Sequence, residues 1–325
     1  MTKAIRIHAH GGPEVLVYED CEAGRPGEGE VLLRQTAIGL NFLDAYYRSG
    51  LYPAPAGLPL VLGSEAAGVV TEVGSGVDWL KPGDRVAYTM PVGAYCEERV
   101  VPAGRLVKVP DGVTDEQAAA LMLKGLTAEY LLRRTFVVKP GDTILFHAAA
   151  GGVGLIAGQW AKHLGATTIG TVGSDEKAEL ARKYGYDHVI NYRTTDFVAA
   201  VAELTKGAKC DVVYDSVGVD TFAGSLDCLK PRGLLALFGQ SSGPVPPFNL
   251  GLLAQKGSLY ITRPTLFTYI ARRADLESAA EALFSAVASG VVDVQINQRF
   301  ALADAAKAHA ALEGRATTGT TILLP

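Results

Sequence analysis

Residues 147–154 read His-Ala-Ala-Ala-Gly-Gly-Val-Gly, a run of small side chains between the apolar segment 143–146 and a stretch over 152–164 with helical spacing. Ala149, Gly151 and Gly154 fill the three small-residue positions of a G-x-G-x-x-G turn, with alanine in the first. A glycine in the second position lets the backbone come close to a pyrophosphate, and one in the third lets strand and helix pack tightly. The helix N-terminus adds free N–H groups and a partial positive charge. The chemistry implied is dinucleotide binding. His147 adjoins the loop, but a lone histidine at a strand end reads as a hydrogen-bonded packing residue before a catalytic one.

The next strand end discriminates between nucleotides. An NAD site carries Asp or Glu there for the ribose hydroxyls, whereas this chain has Gly170-Thr171-Val172-Gly173-Ser174. No acid stands where a 2′-phosphate would be repelled. Ser174 and Lys177 reach that corner, as does Tyr192 from the end of the following strand, and the pattern favours NADPH. Ser174 serves equally as a helix N-cap, with Asp175 and Glu176 complementing the dipole and Lys177 merely solvated. An inward-turned Asp175 would instead favour NADH. Ser216-Val217-Gly218, Phe238-Gly239-Gln240-Ser241 and Thr262-Arg263-Pro264 bring small, amide and cationic groups to the same edge.

These residues need a wound sheet to hold them. Near-continuous apolar strands are predicted at 143–148, 167–172, 187–192, 210–216, 233–239 and 258–263. Helices are predicted between them at 152–164, 175–184, 195–206, 220–229 and 249–255. Such alternation means a parallel sheet covered on both faces, with ligands beyond the carboxyl ends of its strands. The first ~110 residues differ. Alternating runs at 3–9, 30–37, 66–73, 84–88 and 97–101, split by turns such as Lys-Pro-Gly-Asp, predict a barrel or irregular sandwich. Thr114-Asp115-Glu116-Gln117 reads as a capping box opening a helix. The tail holds helices at 275–289 and 303–313 and a last strand, 320–324, expected to return to the first domain.

Composition narrows the partners. The 325 residues are 48% hydrophobic and 20% charged, as in an ordinary soluble globular protein, and form two domains comfortably. A net charge of −4 gives no electrostatic reason to expect nucleic acid or an acidic membrane. No signal peptide and no apolar run of transmembrane length is read. Cys21, Cys96, Cys210 and Cys228 are scattered without a CxxC, which suits four unpaired thiols in a reducing cytoplasm.

Several further runs carry a family likeness. They are Gly39-Leu40-Asn41-Phe42-Leu43-Asp44, Arg48-Ser49-Gly50-Leu51-Tyr52, Leu62-Gly63-Ser64-Glu65-Ala66-Ala67-Gly68 and Val73-Gly74-Ser75-Gly76-Val77. With Ala148–Gly154, Asn191-Tyr192-Arg193, Tyr214–Gly218 and Lys256–Pro264, they resemble the medium-chain dehydrogenase/reductase superfamily over essentially the full length. The chain is most similar to its zinc-free NADPH:quinone oxidoreductase branch, the zeta-crystallin-like enzymes. The resemblance implies an α/β protein: a Rossmann doubly wound parallel sheet over 125–265, and a GroES-like, mostly-β barrel catalytic domain over 1–124 and 266–325. Zinc alcohol dehydrogenases of this superfamily set a cysteine just after the strand that here ends at Gly39, and a histidine before the glutamate matching Glu65. Asn41 or its neighbours and Ser64 stand at those places. Neither is a useful zinc ligand, and no metal is expected.

The implied cofactor is NADP(H), held by Asn41, Thr127, Ala149, Gly151, Gly152, Val153, Gly154, Gly173, Ser174, Lys177, Tyr192, Ser216, Phe238, Gln240, Ser241 and Arg263. Arg263 is either a phosphate contact or a structural ion-pair partner, because a guanidinium stays protonated. The resemblance also brings Asn41, Tyr46 and Tyr52 to the acceptor as candidate catalytic groups, although both tyrosines can equally be packing residues. A quinone suits a metal-free site: its reduction yields a delocalised, phenol-like anion, so positioning supplies most of the catalysis. The expected function is an NADPH-dependent quinone reductase. A reductase of α,β-unsaturated aldehydes or ketones, or a non-catalytic NADPH-binding protein of crystallin or RNA-binding type, are the alternatives. The resemblance further implies a homodimer through the edge strand near Ser258–Arg263.

Overall fold

The chain opens as strand β1 (Thr2–Ile7), whose Ala4, Ile5 and Ile7 are buried, paired antiparallel to β2 (Val17–Cys21). Six more strands follow: β3 (Glu30–Gly39), β4 (Leu60–Val61), β5 (Glu65–Val73), β6 (Arg85–Thr89), β7 (Glu98–Pro102) and β8 (Leu106–Lys108). Parallel strands β9 (Thr143–Phe146), β10 (Thr167–Val172), β11 (His188–Asn191), β12 (Cys210–Asp215), β13 (Leu229–Leu237) and β14 (Tyr260–Thr262) come next. The chain ends with β15 (Ile296–Ala301) and β16 (Thr320–Leu324). The structure, a computed structural model, describes residues 1–325.

Two compact units result. One comprises Met1–Leu126, Arg272–Ala288 and Val294–Pro325; the other comprises Thr127–Ala271 and Ser289–Asp293. Residues 266–271 and 289–293 therefore group with the second unit, whereas the sequence boundary was expected at 265. The first unit holds a seven-stranded sheet, β15-β16-β3-β5-β6-β8 with β7 also on β3, and a three-stranded sheet β2-β1-β4. Val31, Leu33, Ile38, Ala66, Val70, Val86, Tyr88 and Leu323 fill its core. The expected capping box forms: Thr114 Oγ1 accepts the Gln117 N–H at 3.2 Å, and Gln117 Oε1 accepts the Thr114 N–H at 2.9 Å. Strand β16 has the expected bounds and joins β3 antiparallel, with Leu323 opposite Ile38.

The second unit is a six-stranded parallel sheet in the order β11-β10-β9-β12-β13-β14. Numbered within the unit this is 3-2-1-4-5-6, the doubly wound Rossmann order, whose direction of winding reverses between β9 and β12. Both central strands are fully buried through Ile144, Leu145, Val212 and Val213, because helices cover the two faces.

Candidate functional site

At the reversal point the chain leaves β9 and makes the glycine turn. His147 N–H bonds Tyr214 O at 3.0 Å and Ala149 N–H bonds Thr171 O at 3.0 Å, so the turn is seated between β12 and β10. Ala148 has φ +56°, a left-handed conformation that costs a non-glycine residue about 1 kcal/mol. Helix Gly152–His163 then starts from Gly151, with no side-chain cap and no acidic residue in its first turn. Its free N–H groups and dipole are left for an external acceptor. A Cβ on Gly154 would lie 2.4 Å from Ala148 O and 2.6 Å from Ala149 O, so only glycine packs there; one on Gly151 would meet a single atom, Ala148 O at 3.2 Å. The cradle has room where a pyrophosphate would approach, and the residues fit the nucleotide.

Helix Asp175–Lys183, one strand over, is closed by contrast. Ser174 Oγ accepts the Lys177 N–H at 3.3 Å, and Asp175 and Glu176 occupy the first turn. Asp175 Oδ1 accepts from Asn191 Nδ2 at 2.9 Å, which gives that carboxylate a protein partner at the end of β11. Tyr192, 41% exposed, reaches over Gly173: its hydroxyl would lie 2.6 Å from a Cβ there. Gly173, Ser174, Lys177 and Tyr192 thus share one corner. Ser216 is packed against Gly239, and Ser241 N–H bonds Ser216 O at 3.1 Å, which draws the ends of β12 and β13 together with Phe238 and Gln240. Thr127 is buried in helix Lys124–Tyr130. Arg263 is exposed beyond β14, and its charge acts on Tyr130. His147 is a packing residue: Nδ1 bonds Thr171 Oγ1 at 2.8 Å, Nε2 bonds Ser225 Oγ at 2.9 Å, and Phe197 stacks edge-on.

In the first unit, helix Phe42–Ser49 carries Tyr46, whose ring centroid lies 5.3 Å from that of Tyr52. Asn41 caps this helix, and Asp44 Oδ2 accepts the Asn41 N–H at 2.9 Å. Asp44 also accepts from Ser64 Oγ at 2.6 Å and Tyr95 Oη at 3.0 Å, yet complete burial still pushes its pKa up to about 6. The chain of bonds continues. Arg48 only donates, so its 2.8 Å bond makes His309 Nδ1 the acceptor and leaves the proton on Nε2, which donates to Tyr95 Oη at 3.1 Å. Burial, with Arg48 opposite, drives the His309 pKa down to about 3. Arg48 ends the run on Glu313 at 2.7 Å.

Beside this network lies a second buried charge group. Glu65 Oε1 accepts from Asn41 Nδ2 at 2.8 Å and from Lys124 Nζ at 2.5 Å, while Oε2 accepts the Leu123 N–H at 2.5 Å. A Cβ on Gly39 would lie 2.2 Å from Glu65 Oε1, so β3 forgoes a side chain to admit the carboxylate. Lys124 and His309 were not singled out from sequence. The signal for Lys124 was present: one lysine inside the apolar run Ala118–Leu126 needs a buried counter-charge.

A Rossmann sheet in one unit and a GroES-like set of strands in the other define a medium-chain dehydrogenase/reductase. Residues 27–111 match the alcohol dehydrogenase GroES-like domain and residues 152–285 the zinc-binding dehydrogenase family. A quinone oxidoreductase of Pseudomonas aeruginosa is 59% identical over 100% of both chains. The crystal structure of Escherichia coli quinone oxidoreductase complexed with NADPH matches with a TM-score of 0.97 at 53% identity, over 99% of this chain and 100% of that one. A 2-haloacrylate reductase from a Burkholderia species is 50% identical over 100% of this chain and 99% of its own. The chain belongs to the quinone oxidoreductase family.

The zinc that the broader family name implies does not fit these residues. Asn41 and Ser64 offer an amide and a hydroxyl, and both oxygens of Glu65 already accept N–H bonds, one of them from an ammonium. No three His, Cys, Asp or Glu side chains converge anywhere in the chain.

Proposed function

We propose that this protein is an NADPH-dependent quinone reductase that works without a metal. The observation that carries the reading is the uncapped, glycine-lined N-terminus of helix Gly152–His163 at the switch point, in a chain whose full-length relatives are quinone oxidoreductases. NADPH, when bound, supplies the reducing equivalents. The helix N-terminal N–H groups at 152–154 hold its pyrophosphate, with Ala149, Gly151, Gly152 and Val153 shaping the turn. Gly173, Ser174, Lys177 and Tyr192 receive the 2′-phosphate at a strand end that carries no acid. Thr127, Ser216, Phe238, Gln240, Ser241 and Arg263 complete the cofactor contacts, and Asn41 is shared with the acceptor. Asn41, Tyr46 and Tyr52 orient a flat acceptor, and positioning does most of the work. The second unit is thus the cofactor domain and the first the catalytic domain.

A second reading has a specific support: one relative is a 2-haloacrylate reductase, and a 2-haloacrylate is an activated alkene. Both acceptors accept the same reducing equivalents, but an alkene also needs a proton at carbon. Parallel assays of 1,4-benzoquinone, 1,2-naphthoquinone, an enone and 2-chloroacrylate test the choice. A hundredfold kcat/KM preference for either alkene would replace the quinone reading. Calorimetry with NADPH and NADH tests the cofactor, and no uptake of either would end both readings.

The assembly is read as a homodimer through β14, an edge strand whose Tyr260 is 62% exposed; sedimentation velocity checks it. No helix is long and apolar enough to cross a membrane. The four free cysteines, three of them buried, suit a reducing cytoplasm.

A further inference from the structure

Charge that grows on an acceptor oxygen during reduction must be met by a cation or by hydrogen-bond donors already in place. The broader family meets it with zinc, which the residues here do not fit. We propose that the Lys124 ammonium takes that part: held by Glu65 beside Asn41, it is a catalytic residue that donates to the acceptor oxygen as that oxygen becomes anionic. The inference rests on the reductase reading above.

Two observations carry it. An ammonium has three N–H donors, and Lys124 spends one on Glu65 Oε1. Asn41, on the same carboxylate oxygen, has one amide hydrogen on Glu65 at 2.8 Å and the amide nitrogen 3.4 Å from Gly39 O. Of the two groups the ammonium is the one with donors to spare. The second observation is what the fold gives up for the pair. Lys124 and Glu65 side chains are 8% and 0% exposed, and Gly39 is held to a bare Cα to make room. As a stability device such a pair gains little over apolar residues of the same volume. As a fixed cation screened from water it is far stronger than one in solvent.

The chemistry balances without a metal. Two electrons and one proton pass from NADPH to the acceptor, leaving NADP+, and a second proton comes from water. Between those events the oxygen is anionic, and Lys124 keeps its own proton while stabilising it.

The test compares wild type with Lys124→Met and with the double variant Glu65→Gln/Lys124→Met, which removes both charges and so leaves none orphaned if the single variant fails to fold. Circular dichroism and NADPH affinity establish that each is folded and loaded. Across a series of quinones and enones, the loss in kcat/KM is expected to grow with the basicity of the oxyanion formed, by about tenfold or more from one end of the series to the other. An equal loss for every acceptor, or none, overturns the proposal. Binding of 4-nitrophenol, followed at its phenolate absorbance with and without NADP+, needs no turnover. Wild type is expected to lower the bound phenol's pKa by about one unit or more and the double variant to leave it unshifted; identical titrations overturn the Lys124 role. A wild type that reduces no acceptor overturns the reductase reading instead, and a Lys124-dependent nitrophenol shift tells that failure from this one.

Discussion

In the parallel sheet, the groups at the switch point are peptide N–H donors, three glycines and an alanine held at φ +56°. In the first unit, the groups around Asn41 are Asp44, Glu65, Lys124, Arg48 and His309, all buried and several charged. Each unit also buries one histidine within a carboxylate network, and the two differ in kind. His147 lies between the hydroxyls of Thr171 and Ser225, and Ser225 passes its proton to Asp215 at 2.8 Å. His309 lies between a guanidinium and a phenol whose proton goes to Asp44. A ligand that brings its own charge is met by backbone; one that acquires charge during reaction is met by fixed ionic groups. A backbone site is broken by adding atoms, an ionic one by removing charge or changing pH.

Adding an atom should have the largest effect. Gly154→Ala places a methyl against two backbone carbonyls and is expected to weaken NADPH binding by about a hundredfold or more and to lower Tm; calorimetry and thermal unfolding read both. Next comes pH. His309 is neutral when folded down to about 3 but binds a proton below about 6.5 when unfolded, so stability falls as pH drops through that window. Asp44 opposes it between its ordinary 3.8 and about 6, where the folded chain holds the extra proton, and the larger histidine shift prevails. Urea unfolding across this range should show a net acid loss of roughly 1–2 kcal/mol that His309→Gln removes. A loss unchanged in the variant would place the acid sensitivity elsewhere.

Lys177→Ala is expected to cost NADPH affinity about tenfold or more and NADH affinity about twofold or less, by fluorescence titration. Equal losses would return the corner to Asp175 and a ribose hydroxyl. The smallest effect belongs to the acceptor side. Tyr46→Phe and Tyr52→Phe should each lower kcat by less than about tenfold, because orientation rather than proton donation is asked of them. A thousandfold loss would make one of them an essential acid.

What sequence made legible follows the same division. The wound sheet was readable because its strands are buried on both faces and so run nearly unbroken in apolar residues; β10 has the bounds expected for it. Strand β13 begins four residues earlier than expected, at Leu229, since Pro231, Arg232 at φ +63° and Gly233 look like a turn. Strand β2 was missed because Val17 and Tyr18 are exposed, and β4 and β8 because they are two and three residues long. Helix Phe42–Ser49 was missed as well; its buried Asp44 and Arg48 interrupt the apolar stripe that marks a helix. The backbone cradle was visible in the glycine spacing. The ionic groups were not, because Glu65 meets Lys124, and Arg48 meets His309, only through tertiary pairing, which spacing along the chain does not encode.

One consequence of β16 concerns the order of assembly during synthesis. Almost all of the parallel-sheet unit is continuous in sequence, so it can close while the ribosome is still translating the tail. The other unit receives its β3 neighbour, and the partners His309 and Glu313 of buried Arg48, from residues 309–324, far along the chain from β3. Until those emerge, the Ile38–Gly39 end of β3 lacks its β16 partner and Arg48 is a lone cation. The earliest-made strands are therefore among the last to be sealed, and the growing chain stays exposed to aggregation until residues 309–324 have emerged.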